Sequence, residues 1–255
     1  MRAIFMGKHK RSTVRALSWL AAQDCEIVAV ASQPPDAEAH DSQRVDLAAE
    51  RLGLTVTDDA TLHAEPPTGV DVVLSFLHPR LIREPLLSVG RLGCLNFHPA
   101  PLPDFRGVGG YNLAILEALE EWGVSCHFVD ASLDTGDLVE VERFPIDREG
   151  ATALSLDIDT QEWLAGLFER VVGRLLSGEE LPRSPQGEGR YVSQEEFERL
   201  RVIRAGDDLE RKLRAFWYPP HPGALVEVDG RLLTVVDGQV LADAAAAYRD
   251  AGRIP

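Results

Sequence analysis

Residues 2–32 read RAIFMGKHKRSTVRALSWLAAQDCEIVAVAS, and this stretch decides the fold. A short apolar run at 2–6 stops at Gly7, after which Val14, Leu17, Leu20 and Ala21 recur at helical spacing. Residues 26–32 are almost continuously apolar and rich in valine, the composition of a strand buried on both faces of a parallel sheet. Strand, glycine turn, helix and strand make one βαβ unit with a right-handed crossover. Its turn carries Lys8, His9, Lys10 and Arg11 immediately before the helix, where free backbone N–H groups and the helix dipole favour an anion. Gly7, Lys8, Lys10 and Arg11 are therefore candidate contacts for a substrate anion.

The alternation continues outward. A helix is expected near 43–52, a short strand at 54–56, a β-branched run at 70–76, a short helix at 81–87 and a strand from Cys94. Leu113, Ile115, Leu116 and Leu119 suit a helix ending near Trp122 and Gly123, with strands following at 124–130 and 138–146. Trp163, Leu164, Leu167, Phe168, Val171, Val172, Leu175 and Leu176 repeat at 3.6-residue spacing until Gly178 stops them. This pattern predicts an α/β fold, a doubly wound, mostly parallel Rossmann-like sheet whose ligands gather at the carboxyl ends of its strands.

The expected organisation is a core at 1–180, a linker rich in Pro, Gly and charge at 181–206, and a small β-rich unit at 207–255. In that unit a helix at 207–216 precedes the rigid WYPPHPG segment, and Asp229-Gly230 separates β runs at 224–228 and 231–236. Asp-Gly between two such runs is a strong hairpin signal. A second Asp-Gly at 237–238 points to a third strand at 239–241.

With 255 residues, 45% of them hydrophobic, the chain can bury a sizeable core. A net charge of -15 disfavours a long polyanion, because nucleic-acid affinity needs a basic face, so no nucleic-acid partner is expected. No apolar run approaches the ~20 residues that span a bilayer, and no signal-peptide core follows the first strand, so a soluble cytoplasmic protein without a membrane partner is expected. Cys25, Cys94 and Cys126 are odd in number and lie in or beside apolar runs without CxxC spacing, the pattern of free thiols rather than a disulfide or metal site.

Unusual chemistry concentrates at 93–137. Pro99, Pro101 and Pro103 force extended backbone after a strand that ends Asn96, Phe97, His98. Asn96 and His98 leave one face of that strand with Cα atoms ~6.6 Å apart, while Phe97 faces the core. An amide donor beside an imidazole suits acyl chemistry: the amide can bond a developing oxyanion and the imidazole can move a proton near neutral pH. An Asn-x-His pair on a strand is ordinarily a satisfied hydrogen-bonding pair, and Asp134 alone an ordinary turn residue. It is the combination with a stiff loop, Arg106-Gly107 and the Asp134-Thr135-Gly136 turn that points to catalysis. GxSxG, HExxH and GxxxxGK[ST] are absent, and residues 107–112 fail GxGxxG because Asn112 replaces the last glycine.

LNFHPAPLPDFRG at 95–107 and GVSCHFVDASLDTGD at 123–137 resemble the signature of the folate-dependent formyltransferases. The match spans about residues 1–200 and is most specific between 93 and 137. The resemblance implies 10-formyltetrahydrofolate as co-substrate, no metal, and Asn96, His98 and Asp134 as the catalytic trio. An amine would attack the formyl carbon, and Asn96 with protonated His98 would hold the oxyanion of a tetrahedral intermediate while Asp134 keeps His98 charged or oriented. The folate would lie against Ser75, Phe76, Leu77, His78, Asp130 and Leu133.

Among the branches of that family, the chain resembles the N-formyltransferases of nucleotide-linked amino sugars, dTDP or UDP, through RGVGGYNLAILE, WYPPHPGA and its small β appendage. Arg106, Trp217 and Tyr218 are then further substrate contacts, the two aromatics as stacking surfaces for a base or as packing at a junction. Methionyl-tRNA and glycinamide ribonucleotide formyltransferases, and a hydrolase releasing formate from the same donor, are the alternatives. A homodimer paired through the β appendage is expected.

Overall fold

The computed structural model describes residues 1–34, 40–238 and 241–242. Its elements in chain order are β1 (Arg2–Gly7), α1 (Arg11–Ala21), β2 (Glu26–Ser32), α2 (Val45–Arg51), β3 (Val56–Thr57), α3 (Asp59–Ala64), β4 (Val72–Phe76), β5 (Cys94–His98) and β6 (Phe105–Gly107). Then come α4 (Gly110–Leu116), β7 (Glu121–Phe128), β8 (Leu138–Pro145), α5 (Ala153–Leu176), β9 (Arg190–Val192), α6 (Gln194–Arg201), α7 (Leu209–Ala215), β10 (Ala224–Val228) and β11 (Arg231–Val235).

Seven strands form the main sheet in the order β3-β2-β1-β4-β5-β7-β8. β2, β1, β4 and β5 run parallel, as the β-branched, near-continuous apolar runs of β2 and β4 predict, and β7 joins β5 antiparallel. The order reverses at β1, which has β2 on one side and β4 on the other, so the carboxyl ends of β1 and β4 meet at Gly7 and Phe76. Such a switch point opens a crevice above the sheet. On one face Phe5, Phe76, Phe97 and Trp19 surround Phe168 of α5, the Phe97 and Phe168 rings lying 4.8 Å apart edge to face. On the other face Ile4, Met6, Val73 and Cys94 pack with Leu62, Ile82 and Leu86. Phe97 is 0% exposed, which leaves its neighbours Asn96 and His98 on the opposite side of the strand.

The chain divides into two compact units. One holds residues 1–106, 122–144 and 159–191, and the other residues 107–121, 145–158 and 192–255. In the second unit α4 packs on α7, Asn112 donates to the Ala215 carbonyl at 2.6 Å, and the Phe197 and Phe216 rings stand 5.7 Å apart. β10 and β11 form the expected hairpin, with Asp229 at φ 49 and Gly230 at φ 72, the two positive values that a tight primed turn requires.

Several elements depart from expectation, each for a local reason. Residues 81–87 form no α-helix; only a single 3-10 turn, Leu86–Ser88, follows Pro85. α4 ends at Leu116, with Ala118 at φ 50 breaking the turn, and β7 already begins at Glu121 because Trp122 is fully buried as a strand residue. α5 starts a full ten residues before Trp163, where Thr152 and Ser155 exchange side-chain to backbone bonds of 3.1 and 2.9 Å in a reciprocal cap. Within 181–206, Ser193 caps α6 by accepting from the Glu196 N–H at 3.1 Å. Of the third strand expected at 239–241, Gln239 and Val240 lie outside the described residues, and the Leu241 N–H bonds Asp237 O at helical spacing.

Candidate active site

Three adjacent strands place Ser75, Asn96 and His127 in one row, Ser75 pairing with Asn96 and Asn96 with His127. Equivalent positions on neighbouring strands share a face, so the three side chains interact directly. The Ser75 hydroxyl donates to Asn96 Oδ1 at 2.8 Å, and Asn96 Nδ2 lies 3.1 Å from His127 Nε2. His127 Nδ1 donates to the Phe128 carbonyl at 2.8 Å, since a carbonyl only accepts. In the neutral ring Nε2 is then an acceptor for one Asn96 N–H. The network thereby selects one orientation of the amide and leaves its second N–H for a ligand.

Asp134 comes from the turn after β7. It adopts φ 54, a left-handed conformation that Asp tolerates better than most residues. Asp130 orders this turn, accepting from the Ser132 N–H at 2.9 Å and the Thr135 hydroxyl at 2.8 Å, and Gln186 bonds the Gly136 carbonyl at 2.6 Å. A Cβ on Gly136 would collide with the Phe128 backbone, so the turn can press against the strand only through glycine. One carboxylate oxygen of Asp134 thus reaches 3.6 Å from both His98 Nδ1 and His127 Nε2.

The loop after β5 is fastened to β7. Ser125 donates to the Ala100 carbonyl at 2.7 Å and accepts from the Leu102 N–H at 2.8 Å, and Trp122 Nε1 donates to Pro99 O at 3.2 Å. His98 is consequently almost enclosed, its side chain 12% exposed. Burial holds its imidazole below the ordinary value near 6.5, Asp134 opposing this and His127 reinforcing it. That direction favours the neutral ring near pH 7 in the free protein, whereas the protonated His98 expected from sequence belongs to the tetrahedral intermediate. For Asp134 burial raises the carboxyl, but the close imidazoles of His127 and His98 and the charge of Arg106 outweigh it and leave it below the usual carboxylate value.

Beside this group lies an open pocket of about 320 Å³, open solvent included. Its walls are Leu81, Ile82, Val129 and Leu133, and Ser75, His78, Asn96, His127 and Asp134 supply its polar edge. Of the expected folate contacts, Ser75, His78 and Leu133 line it. Phe76 does not: it is 0% exposed and turned into the ring cluster under the sheet. Leu77, at φ 55, turns the chain out of β4, and Asp130 acts through the turn that carries Asp134.

The expected substrate contacts fare differently. Lys8 and Arg11 are exposed beside the amino end of α1, and Lys10 is its N-cap residue. Gly7 is required for packing, because a Cβ there would meet the Thr13 side chain and the Phe76 carbonyl. His9 is not part of an anion pocket: its Nε2 donates to Gln33 O at 2.6 Å and its Nδ1 accepts from the Val45 N–H at 3.0 Å, pinning α2. Arg106 bonds Gln186 and the Gly187 carbonyl at 2.9 and 3.0 Å while its charge acts on Asp134. Trp217 and Tyr218 belong to the second unit, where the Tyr218 hydroxyl is held by Asp157 and Trp217 O accepts from the Leu154 N–H at 3.0 Å.

His127 is the main residue that sequence reasoning missed; a lone histidine within the buried run VSCHFV was its only signal. Arg80, Leu81, Ile82 and Val129 of the pocket were also unmarked, whereas Ser132 falls within the loop at 130–133 expected against the folate. Among the described residues no group of His, Cys, Asp or Glu is placed to share a metal, and no helix is long and apolar enough to cross a membrane.

An amide, two imidazoles and a carboxylate thus gather at the strand ends of an open α/β sheet, a set suited to bonding an oxyanion and moving a proton. Residues 2–167 match the model of the formyl transferase family, and the chain belongs to that family. A methionyl-tRNA formyltransferase of Novosphingobium aromaticivorans is 32% identical over 252 residues, covering 94% of this chain and 82% of that protein. Among solved structures, a 4-N formyltransferase from Francisella tularensis superposes with a TM-score of 0.76 at 18% identity, covering 92% of this chain and 96% of the other. An N-formyltransferase of Helicobacter canadensis in complex with folinic acid and dTDP-3-aminofucose gives a TM-score of 0.73 at 18% identity, covering 90% and 85%. At such identities these two likenesses establish the fold.

Proposed function

We propose that this enzyme moves a formyl group from 10-formyltetrahydrofolate to the amine of a nucleotide-linked amino sugar. The observation that carries the reading is the shared approach of Asp134 to His98 and His127 beside an Asn96 amide locked by Ser75. The reading is supported by the pocket's lining, apolar walls for the faces of a flat heteroaromatic donor and hydrogen-bonding side chains for its edge. When bound, the donor supplies the electrophilic formyl carbon. Asn96 offers its unused N–H to the oxygen that gains charge, an effect worth about 10²–10³-fold for one such donor. Neutral His98 accepts the proton of the attacking amine, and Asp134 stabilises the imidazolium that forms. His98 then returns the proton to the departing nitrogen.

The amino-sugar reading is supported by the net charge of -15, which opposes a polyanionic RNA, and by the exposed Lys8 and Arg11 beside the amino end of α1, suited to a diphosphate. It includes a homodimer, which light scattering tests. A second reading, formylation of methionyl-tRNA, is favoured by the 32% identity to an enzyme of that name. Incubation with 10-formyltetrahydrofolate and, separately, a panel of nucleotide-linked amino sugars or charged initiator tRNA decides between them. Formyl gain on a sugar nucleotide supports the first reading, and gain on the tRNA alone replaces it by the second.

A further inference from the structure

Between α5 and β9 the chain crosses the surface as a strap, and of residues 182–189 all are exposed but Gln186, which is half-buried. A polar side chain turned inward from such a segment needs partners, and Gln186 has two. Its Nε2 donates to the Gly136 carbonyl at 2.6 Å, and its Oε1 accepts from Arg106 Nη2 at 2.9 Å. A carbonyl only accepts and a guanidinium only donates, so these neighbours permit a single orientation of the amide.

The strap is fastened on both sides of that residue. Leu138 and Ser184 exchange backbone bonds of 2.8 and 3.0 Å, and Arg183 Cζ lies 3.4 Å from the centre of the Phe128 ring. Further on, the Arg190 N–H bonds Asp104 O at 3.2 Å, and a Cβ on Gly189 would strike the Pro103 carbonyl. Gln186 therefore spans two parts of the site that are distant in sequence, the turn bearing Asp134 and the β6 residue Arg106, whose charge acts on that carboxylate. Asp130 orders the turn from within, whereas Gln186 ties it to another strand. Asp134 reaches His98 and His127 at 3.6 Å each, so an outward movement of the turn lengthens both contacts.

We propose that Gln186 is a positioning residue for formyl transfer: by joining Gly136 to Arg106 it holds the Asp134 carboxylate against His98. This rests on the reading that His98 and Asp134 carry the proton transfer. Because Gln186 acts through Asp134, its loss slows the chemical step and leaves both substrates bound as before.

Gln186→Met keeps the side chain's length and removes both bonds. Its kcat should fall by about tenfold to 10²-fold, with the KM of donor and amine within about twofold of wild type. Burial keeps the His98 ring below its ordinary value, Asp134 opposing this and His127 reinforcing it. As the carboxylate recedes, His98 should titrate at a lower pH than in wild type, read by NMR of the ring in the free protein without turnover. Gln186→Glu keeps the shape and the acceptor for Arg106 but sets an oxygen against the Gly136 carbonyl, and should lose at least as much kcat; wild-type kcat there would overturn the proposal. In wild type, a scalar coupling across the hydrogen bond from Gln186 Nε2 to the Gly136 carbonyl carbon should be observed. That coupling keeps the test decisive if neither variant folds, and its absence would overturn the proposal too. So would a lower thermal midpoint with kcat and the His98 titration unchanged, which would make Gln186 a fastening of the strap alone, or a rise in KM at constant kcat. Equal activity of His98→Ala and wild type would instead remove the proton-transfer reading beneath it, while the His98 titration would still report whether Gln186 places the carboxylate.

Discussion

The amide of Asn96 stands 3.1 Å from the Nε2 of His127, across the antiparallel seam where β7 joins β5. That contact, with the Ser75 hydroxyl on Oδ1, fixes the orientation of the amide. On the proposed mechanism His127 acts through Asn96 and through the carboxylate it shares with His98. In His127→Leu the amide loses its acceptor, and kcat should fall by about tenfold to 10²-fold with little change in the KM of either substrate, a loss confined to the transition state. Steady-state kinetics with both substrates varied checks this; a rise in KM at constant kcat would make His127 a binding residue.

The pH profile follows from the enclosure of His98. Burial disfavours its imidazolium, so the folded value lies below about 6.5. Corrected for the ionisation of the amine substrate, kcat/KM should rise with pH through an apparent value below 6.5 and level off near pH 7. The same sign governs stability. The unfolded chain binds this proton more readily than the folded one, so the contribution of His98 is complete above pH about 6.5 and is lost as pH falls toward the folded value. An activity that instead declines as pH rises from 6 to 7 would mean that the charged ring is the active form.

Gly136 permits the Asp134 turn to close on the Phe128 backbone. Gly136→Ala should therefore push the carboxylate away from both imidazoles, reducing kcat by at least tenfold while lowering the thermal midpoint by several degrees. Activity and melting measured on one preparation test the link; full activity at reduced stability would break it.

Phe168 is the ring on which Phe5, Phe76 and Phe97 converge beneath the site. Phe168→Ala removes those edge contacts and leaves a cavity, and should destabilise the fold by about 3–5 kcal/mol in denaturant unfolding. A loss under 1 kcal/mol would show that the cluster relaxes around the gap.

Much of this was legible in the sequence because buried parallel strands have a distinct composition. The runs at 2–6, 26–32 and 70–76 gave β1, β2 and β4, and the alternation of Asn96, Phe97 and His98 gave the two faces of β5. The approach of Asp134 was legible only through its Asp-Thr-Gly turn, whose tight packing under Gly136 confirms the reason for a glycine there. What escaped depends on partners far apart in the chain. His127 looks like any histidine in an apolar strand until β7 pairs with β5, 31 positions from Asn96. The charge state of His98 likewise follows from enclosure by the fastened loop, not from its neighbours in sequence. Boundaries failed where short polar contacts set them, as with the Thr152 and Ser155 cap of α5 and the Ser193 cap of α6.

The most direct test of the central claim is formyl transfer itself in wild type and His98→Ala, followed by mass spectrometry of the amine product with 10-formyltetrahydrofolate as donor. Wild type should add one formyl group per amine, and the variant should be slower by about 10²–10⁴-fold at pH 7 while still binding 5-formyltetrahydrofolate. Equal rates in the two proteins would contradict the account.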